Sequence, residues 1–550
     1  MKSRNIKKLM SVALATSMVV GLTACGDSQS TSTTTESSSS STTTEATTTE
    51  ATTTETTTET AEATTVERQT ITWSTIDLNA GVNNTGDYAE QILQEIEDFT
   101  GHDIELTWVA NDALSEKNSL YLANPKTMPN IITWGGTVTG DVVSAANNGA
   151  FVDLNDYIWD SEKYPNLSQM SESVAANLTV NGQLIAIPRT RVVGRYGLSY
   201  RQDWAEKLGV ELPENATPDD VYDMLYAFTY GDPDGNGVDD TIGMEMTSYT
   251  GVFDIIQTWF GCGNGWAEVD GQLIPVFMQD EYMEAVDYIK KLYDDGLMPA
   301  DWASRPTDSW SNGCKTGENG VFIDVLDSGK RIWKYFEADD TYTPSVVNPD
   351  EAATMVLYGA VNGHTLATAG YNGFFTLSAT TLDTPEKIEA ALTILDKLCE
   401  PEMLILTQYG LEGINYEYDE NGYLVDIDTE DETLANNYKG LNQLLTFLPS
   451  TEASDAATPI ERDKYTIAQN EAYAAALEVA EINPALSYLV NSETYSSDGA
   501  ALNDKVTAAR SQYICGEIDK AGLEAAIEEW KEQGGNQIIE EVNAQYQANK

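Results

Sequence analysis

Residues 232–240 read Asp-Pro-Asp-Gly-Asn-Gly-Val-Asp-Asp. Side-chain oxygens recur at Asp232, Asp234, Asn236 and Asp240, Val238 offers its carbonyl, and Gly237 stands sixth, where a cation-wrapping loop must turn sharply. Such a run suits a hard cation. Its four aspartates, with no Lys or Arg among them, repel one another unless a cation intervenes. The run is not a complete EF-hand, because the twelfth place holds Gly243 rather than a bidentate Glu. A solvated acidic turn is the alternative.

Catalytic chemistry has little to work with. The chain has two histidines, His102 and His364, and no His-Glu-x-x-His, Gly-x-Ser-x-Gly or phosphate-binding Walker loop. Gly261-Cys-Gly-Asn-Gly265 fails the dinucleotide fingerprint, because Trp266 stands where its last glycine belongs. Paired carboxylates of the glycoside-hydrolase kind remain open in a chain with 88 acidic residues. The formal net charge of −58 repels phosphate backbones and sets nucleic acid aside as a partner. Cys262, Cys314, Cys399 and Cys515 lack metal-ligand spacing, which leaves disulfides or buried free thiols.

The N-terminus fixes the compartment. Lys2, Arg4, Lys7 and Lys8 precede the mostly apolar residues 9–22, and Leu22-Thr23-Ala24-Cys25 follows. This is the layout of a signal peptide (1–24) rather than a membrane span. The tetrapeptide resembles the bacterial lipobox, in which Cys25 becomes the lipid-modified first residue and anchors the chain outside the membrane. Residues 25–66 are Thr, Ser, Glu and Ala almost throughout and cannot bury a core. They read as a flexible tether with an rms reach of roughly 35 Å.

The rest of the chain is long for one core and fits two lobes. Ile71-Thr72-Trp73-Ser74 reads as a strand, 88–99 as an amphipathic helix, and 104–109 and 129–134 as further strands. That alternation predicts parallel βαβ units, whose ligands bind beyond the carboxyl ends of the strands.

Several segments then carry a resemblance in order: NGQLIAIPR from Asn181, residues 198–209 and 218–228, the acidic run from Asp232, and 260–266. Residues 289–297, 370–373, 408–413 and 534–541 complete it. The sequence resembles the extracellular solute-binding proteins of carbohydrate ABC importers, in the branch of long Gram-positive lipoproteins and more distantly the maltodextrin-binding proteins. The resemblance implies an α/β, two-lobed clamp joined by crossover hinge segments, which closes around an oligosaccharide. It implies lobe 1 at 67–188 and 368–431, and lobe 2 at 189–367 and 432–550. It also implies a monomer, partnered by ABC permease subunits in the membrane, with structural Ca2+ in the acidic run and no catalysis. A glycan-active hydrolase or a surface adhesin are the competing readings.

Sugars offer apolar faces and hydroxyl rims, so their sites pair aromatic rings with a few polar groups. Trp134 ends a strand at an expected crevice mouth, where the maltodextrin-binding family has a sugar-contacting Trp. Asn79 follows the first strand, and Arg189 and Arg191 follow Pro188 at the first lobe crossing. Tyr249 and Phe253 precede a helix expected at 255–260, Asp324 ends a strand of the second lobe, and Tyr371 sits at the second crossing. These eight residues are the expected ligand contacts.

Overall fold

The computed structural model describes residues 67–427, 431–446 and 458–550, within a compact unit that begins at Val66. The signal segment, Cys25 and the tether lie outside the described residues.

Two main sheets are built from β1 (Thr70–Asp77), β2 (Asp103–Ala110), β3 (Ile131–Trp134), β4 (Ile187–Thr190), β5 (Tyr196–Arg201), β6 (Ile242–Met244), β7 (Asn319–Val325), β8 (Met355–Tyr358) and β9 (Tyr371–Leu377). The first sheet has the order β2-β1-β3-β9-β4, and the second β8-β5-β7-β6. β1 pairs in parallel with β2 and β3, which is the expected βαβ arrangement. β9 returns antiparallel to β3 and β4.

The helix Ala89–Thr100 shows why the pattern works. Ile92 and Ile96 lie one turn apart on the buried face, and Gly101, at φ 82°, ends the helix by donating its N–H to Glu97 O. Burying each isoleucine contributes roughly 1.5–3 kcal/mol. An aspartate at Ile96 would leave this face without a partner.

Two large apolar cores correspond to two lobes. One gathers Trp73, Ile131, Phe374 and Phe375, and the other Leu198, Trp204, Phe228, Trp259 and Val321. The C-terminal helices add Trp530 and Ile538 to the second core. Leu441, Leu444 and Leu445 pack in the first.

The crossings are tied to one another. Arg191 N donates to Gly370 O (2.9 Å), Thr368 N to Val193 O (3.0 Å) and Thr190 N to Thr446 O (2.8 Å). Cys262, Cys314 and Cys515 are free thiols, and Cys399 Sγ lies 2.9 Å from Thr446 Oγ1. Among the described residues no helix is long and apolar enough to cross a membrane.

Candidate functional site

β1 ends at Asp77, and its carboxylate organises the loop that follows. One oxygen accepts from Asn79 N (2.9 Å) and from Asn83 Nδ2, and the other from Gly81 N (2.7 Å). Asn79 Nδ2 donates to Asn83 Oδ1 (2.6 Å), so the expected contact is held in place by a neighbour. Leu78, beside it, is exposed.

Arg189 lies near the end of β4, opposite an irregularity in β9. Thr190 pairs with Tyr371 and Pro188 with Phe374, so Asn372 and Gly373 together face Arg189 alone. This is a β-bulge, a device that re-aims side chains near binding sites. Gly373 takes φ 85°, and a Cβ there would lie 3.4 Å from Arg189 Cδ and 2.5 Å from Trp134 O. Glycine is thus required here by the close Trp134 carbonyl, and the guanidinium lies against the bulge. Arg189 is 7% exposed, and its Nη2 donates to Gln443 Oε1 (2.6 Å). Asn372 Oδ1 accepts from Gly136 N (3.2 Å), just beyond β3. Asp77, Leu78, Asn83, Asn372 and Gln443 were not anticipated; Gln443 was hidden because its segment was assigned to the other lobe.

Three expected contacts pack within the apolar cores. Trp134 is 8% exposed, stacks on Phe374 (6.0 Å between ring centres, 12° between planes) and donates its indole N–H to Thr376 Oγ1 (2.8 Å). Phe151 meets it edge-on. The antiparallel register of β9 sets Phe374 opposite Trp134 and covers the ring meant for a ligand. Phe253 is 0% exposed and meets Trp302 edge-on, because the helix starts at Gly251 and carries Phe253 inward. Tyr371 is buried, edge-on to Phe374.

On lobe 2, Tyr249 is 41% exposed, with the phenol end of its ring over Gly251. Asp324, near the end of β7, is buried and accepts from Val325 N (2.8 Å); burial pushes its pKa up to about 6. Arg191, half-buried on the crossing, donates from Nη1 to Thr190 O (2.9 Å). Arg195, further along, forms a two-point pair with Asp327, at the start of the helix Leu326–Glu337.

Among the described residues, three crevices separate lobe 1 from elements of the second core, and two of them lie nearest the crossings and the helix Gly140–Asn147. One, of about 220 Å³, is lined by Thr137, Val174, Val193, Thr368, Asn264 and Asn483. The other, of about 730 Å³, lies between the helix Gly140–Asn147 and residues 490–497. None of the eight expected contacts lines either one.

In the acidic loop, Asn236 Nδ2 donates to Asp234 Oδ2 (2.6 Å) and Asp240 Oδ1 (3.1 Å), while the Asp232 carboxylate accepts from Gly237 N (3.3 Å). Gly235 and Gly237 both take φ 76°. Among the described residues no three His, Cys, Asp or Glu side chains are gathered tightly enough to hold a metal ion. An amide nitrogen stands between two carboxylates, and a half-turn of that amide would present its oxygen instead.

No family model matches the chain. The lipoprotein LipO of Bacillus subtilis is 34% identical over 466 residues, 83% of this chain and 89% of LipO. The polygalacturonan/rhamnogalacturonan-binding protein YtcQ of the same organism is 26% identical over 467 residues, 84% of this chain and 89% of YtcQ. The fructooligosaccharide ABC transporter substrate-binding protein FusA of Streptococcus pneumoniae is 30% identical over 227 residues, 38% of this chain and 41% of FusA. The chain belongs to the extracellular solute-binding proteins of carbohydrate ABC importers. A structure of a FusA EF-hand mutant, in complex with fructo-nystose, shares this family's fold with the chain at a TM-score of 0.61 and 19% identity, covering 88% of this chain and all of FusA (100%).

Proposed function

We propose that this solute-binding protein captures an oligosaccharide between its lobes, outside the cell, and delivers it to a membrane permease. The observation that carries the reading is the polar end of lobe 1: Asn79, Arg189, Asn372 and Gln443 gather where strand ends meet the crossings. Polar groups on strand ends, with an exposed ring such as Tyr249 on the facing lobe, suit a ligand of hydroxyl rims and apolar faces. The polygalacturonan and rhamnogalacturonan named for YtcQ and the fructooligosaccharide named for FusA support a sugar ligand. A thermal-shift screen of plant, host and microbial oligosaccharides tests it. At least one should raise the melting temperature in a dose-dependent way; no shift across the panel, checked by calorimetry, would remove the sugar assignment.

The protein binds without turnover. His102 is buried, its Nδ1 accepting from Gln69 N (3.2 Å), and His364 Nδ1 lies 2.7 Å from Glu481 Oε1, so both imidazoles are engaged away from the strand ends. Shortened products after a day with a bound oligosaccharide, absent in a Tyr249→Ala control, would restore the hydrolase reading.

Cys25 carries the lipid anchor, and residues 25–66 give the clamp reach to the permease. Cell fractionation of Cys25→Ser tests this, since release or lack of processing is expected and a processed, membrane-held variant contradicts it. Asp232, Asp234, Asn236, Val238 and Asp240 hold a structural Ca2+, with the Asn236 amide turned to present its oxygen. The ion would offset the mutual repulsion of these carboxylates. The EF-hand named for FusA supports a cation loop in a relative.

A further inference from the structure

Among the described residues, six arginines are matched to carboxylates. Arg201 forms a two-point pair with Asp203 (2.8 and 2.8 Å), Arg195 with Asp327 (2.9 and 3.0 Å), and Arg510 reaches Asp254 (2.6 Å). Arg68, Arg305 and Arg331 each meet an acidic side chain as well. Arg189 and Arg191, two residues apart on the first lobe crossing, make no ion pair. Supply is not the reason, because 88 acidic residues face 30 basic ones.

Arg189 is more than nine-tenths buried, yet among the described residues its side chain has one hydrogen-bond partner, the neutral Gln443 Oε1, and its Nε has none. The charge acting on it is that of Arg191, of the same sign, and together with burial this lowers its pKa to about 10. An unpaired buried charge is costly to the fold. The Asn372–Gly373 bulge lies directly against this guanidinium.

We infer that the captured oligosaccharide carries a carboxylate, and that Arg189, with Arg191 beside it, receives that group at the lobe crossing. The inference rests on the oligosaccharide reading and narrows it to uronate-containing sugars. A guanidinium fork matches a carboxylate at two points, and hydroxyls alone would satisfy its hydrogen bonds but leave its charge uncompensated. A free carboxylate or phosphate shares this chemistry, so the test must separate them.

Calorimetry on the full mature chain should use uronate oligosaccharides of three to five sugars, the same compounds methyl-esterified, and neutral oligosaccharides of equal length. Free uronate monomer and inorganic phosphate form two further arms. The expected result is binding of an acidic oligosaccharide at least tenfold tighter than its ester, weakened by added salt, with monomer and phosphate far weaker. Arg189→Gln should erase the preference for acid over ester while the protein still melts cooperatively. Arg189→Lys should retain part of it, and Arg191→Gln should lower it less. Equal affinity for acid and ester, or an unchanged preference in Arg189→Gln, overturns the inference. Tight binding of neutral sugars alone overturns it and leaves the oligosaccharide reading standing; binding of phosphate alone, or of no oligosaccharide, sinks both.

Discussion

Arg195 grips Asp327 at two points, Nε to Oδ1 at 2.9 Å and Nη2 to Oδ2 at 3.0 Å, and so ties the first lobe crossing to the opening turn of a lobe 2 helix. Arg331 Nη1 (2.7 Å) and Tyr473 Oη (3.1 Å) meet the same carboxylate. Burial pushes the Asp327 pKa up, but Arg195 and Arg331 together hold it below the usual range. This carboxylate fixes where the crossing leaves lobe 2. Asp327→Ala should cost about 2–4 kcal/mol, since it strands a partly buried guanidinium. Denaturant melts measure the loss. A cost near zero would mean that the pair does not hold the crossing.

Trp134 and Tyr249 should respond in opposite ways. Trp134 is packed between Phe374 and Phe151, so Trp134→Ala should destabilise lobe 1 by about 3–5 kcal/mol. Tyr249 is exposed, so Tyr249→Ala should leave the melt within about 0.5 kcal/mol while weakening ligand affinity. Paired thermal melts and calorimetry separate the two. A Trp134 variant with normal stability and lost affinity would return that ring to the crevice.

Much of the fold was legible because apolar runs and helical spacing act locally. The strands at Ile71–Ser74 and Ile131–Trp134 and the helix that buries Ile92 and Ile96 follow from such patterns. The candidate site was less legible. Trp134 was rightly placed at a strand end, but the neighbour that covers it, Phe374, comes from a strand whose register no local pattern sets. The bulge at Asn372–Gly373 likewise exists only once β9 pairs with β4. Phe253 was misjudged because the helix begins at Gly251 rather than near 255. Leu441, Leu444 and Leu445 sit on an irregular turn, which gave no sign of the lobe they would join.

Removing calcium should lower the melting temperature, and returning it should restore the original value. A ligand that binds only the folded state adds about 2.7 kcal/mol at a hundredfold excess over Kd. Asp234→Asn together with Asp240→Asn should abolish the response, because these carboxylates flank the Asn236 amide. An identical melt before and after exhaustive chelation contradicts the cation loop.

Asp324 gives a pH signature. Its pKa of about 6 in the fold, raised by burial, lies above the roughly 3.9 of an unfolded aspartate. Between these values the folded chain holds the extra proton, so stability falls as pH rises through roughly 4 to 6 and stays lower above it. The loss is on the order of 2–3 kcal/mol. Asp324→Asn should therefore stabilise the protein at pH 7.5 and do little at pH 4. Equal melting shifts at both pH values would remove the buried carboxylate as their cause.

Lobe closure is the most direct test of the clamp. Small-angle scattering of the mature chain, with and without a saturating oligosaccharide found by the screen, reads the radius of gyration in solution. Closure around the ligand should reduce it reproducibly, and Tyr249→Ala should shift the transition to higher ligand concentration. Saturable binding with an unchanged scattering curve would contradict capture between closing lobes.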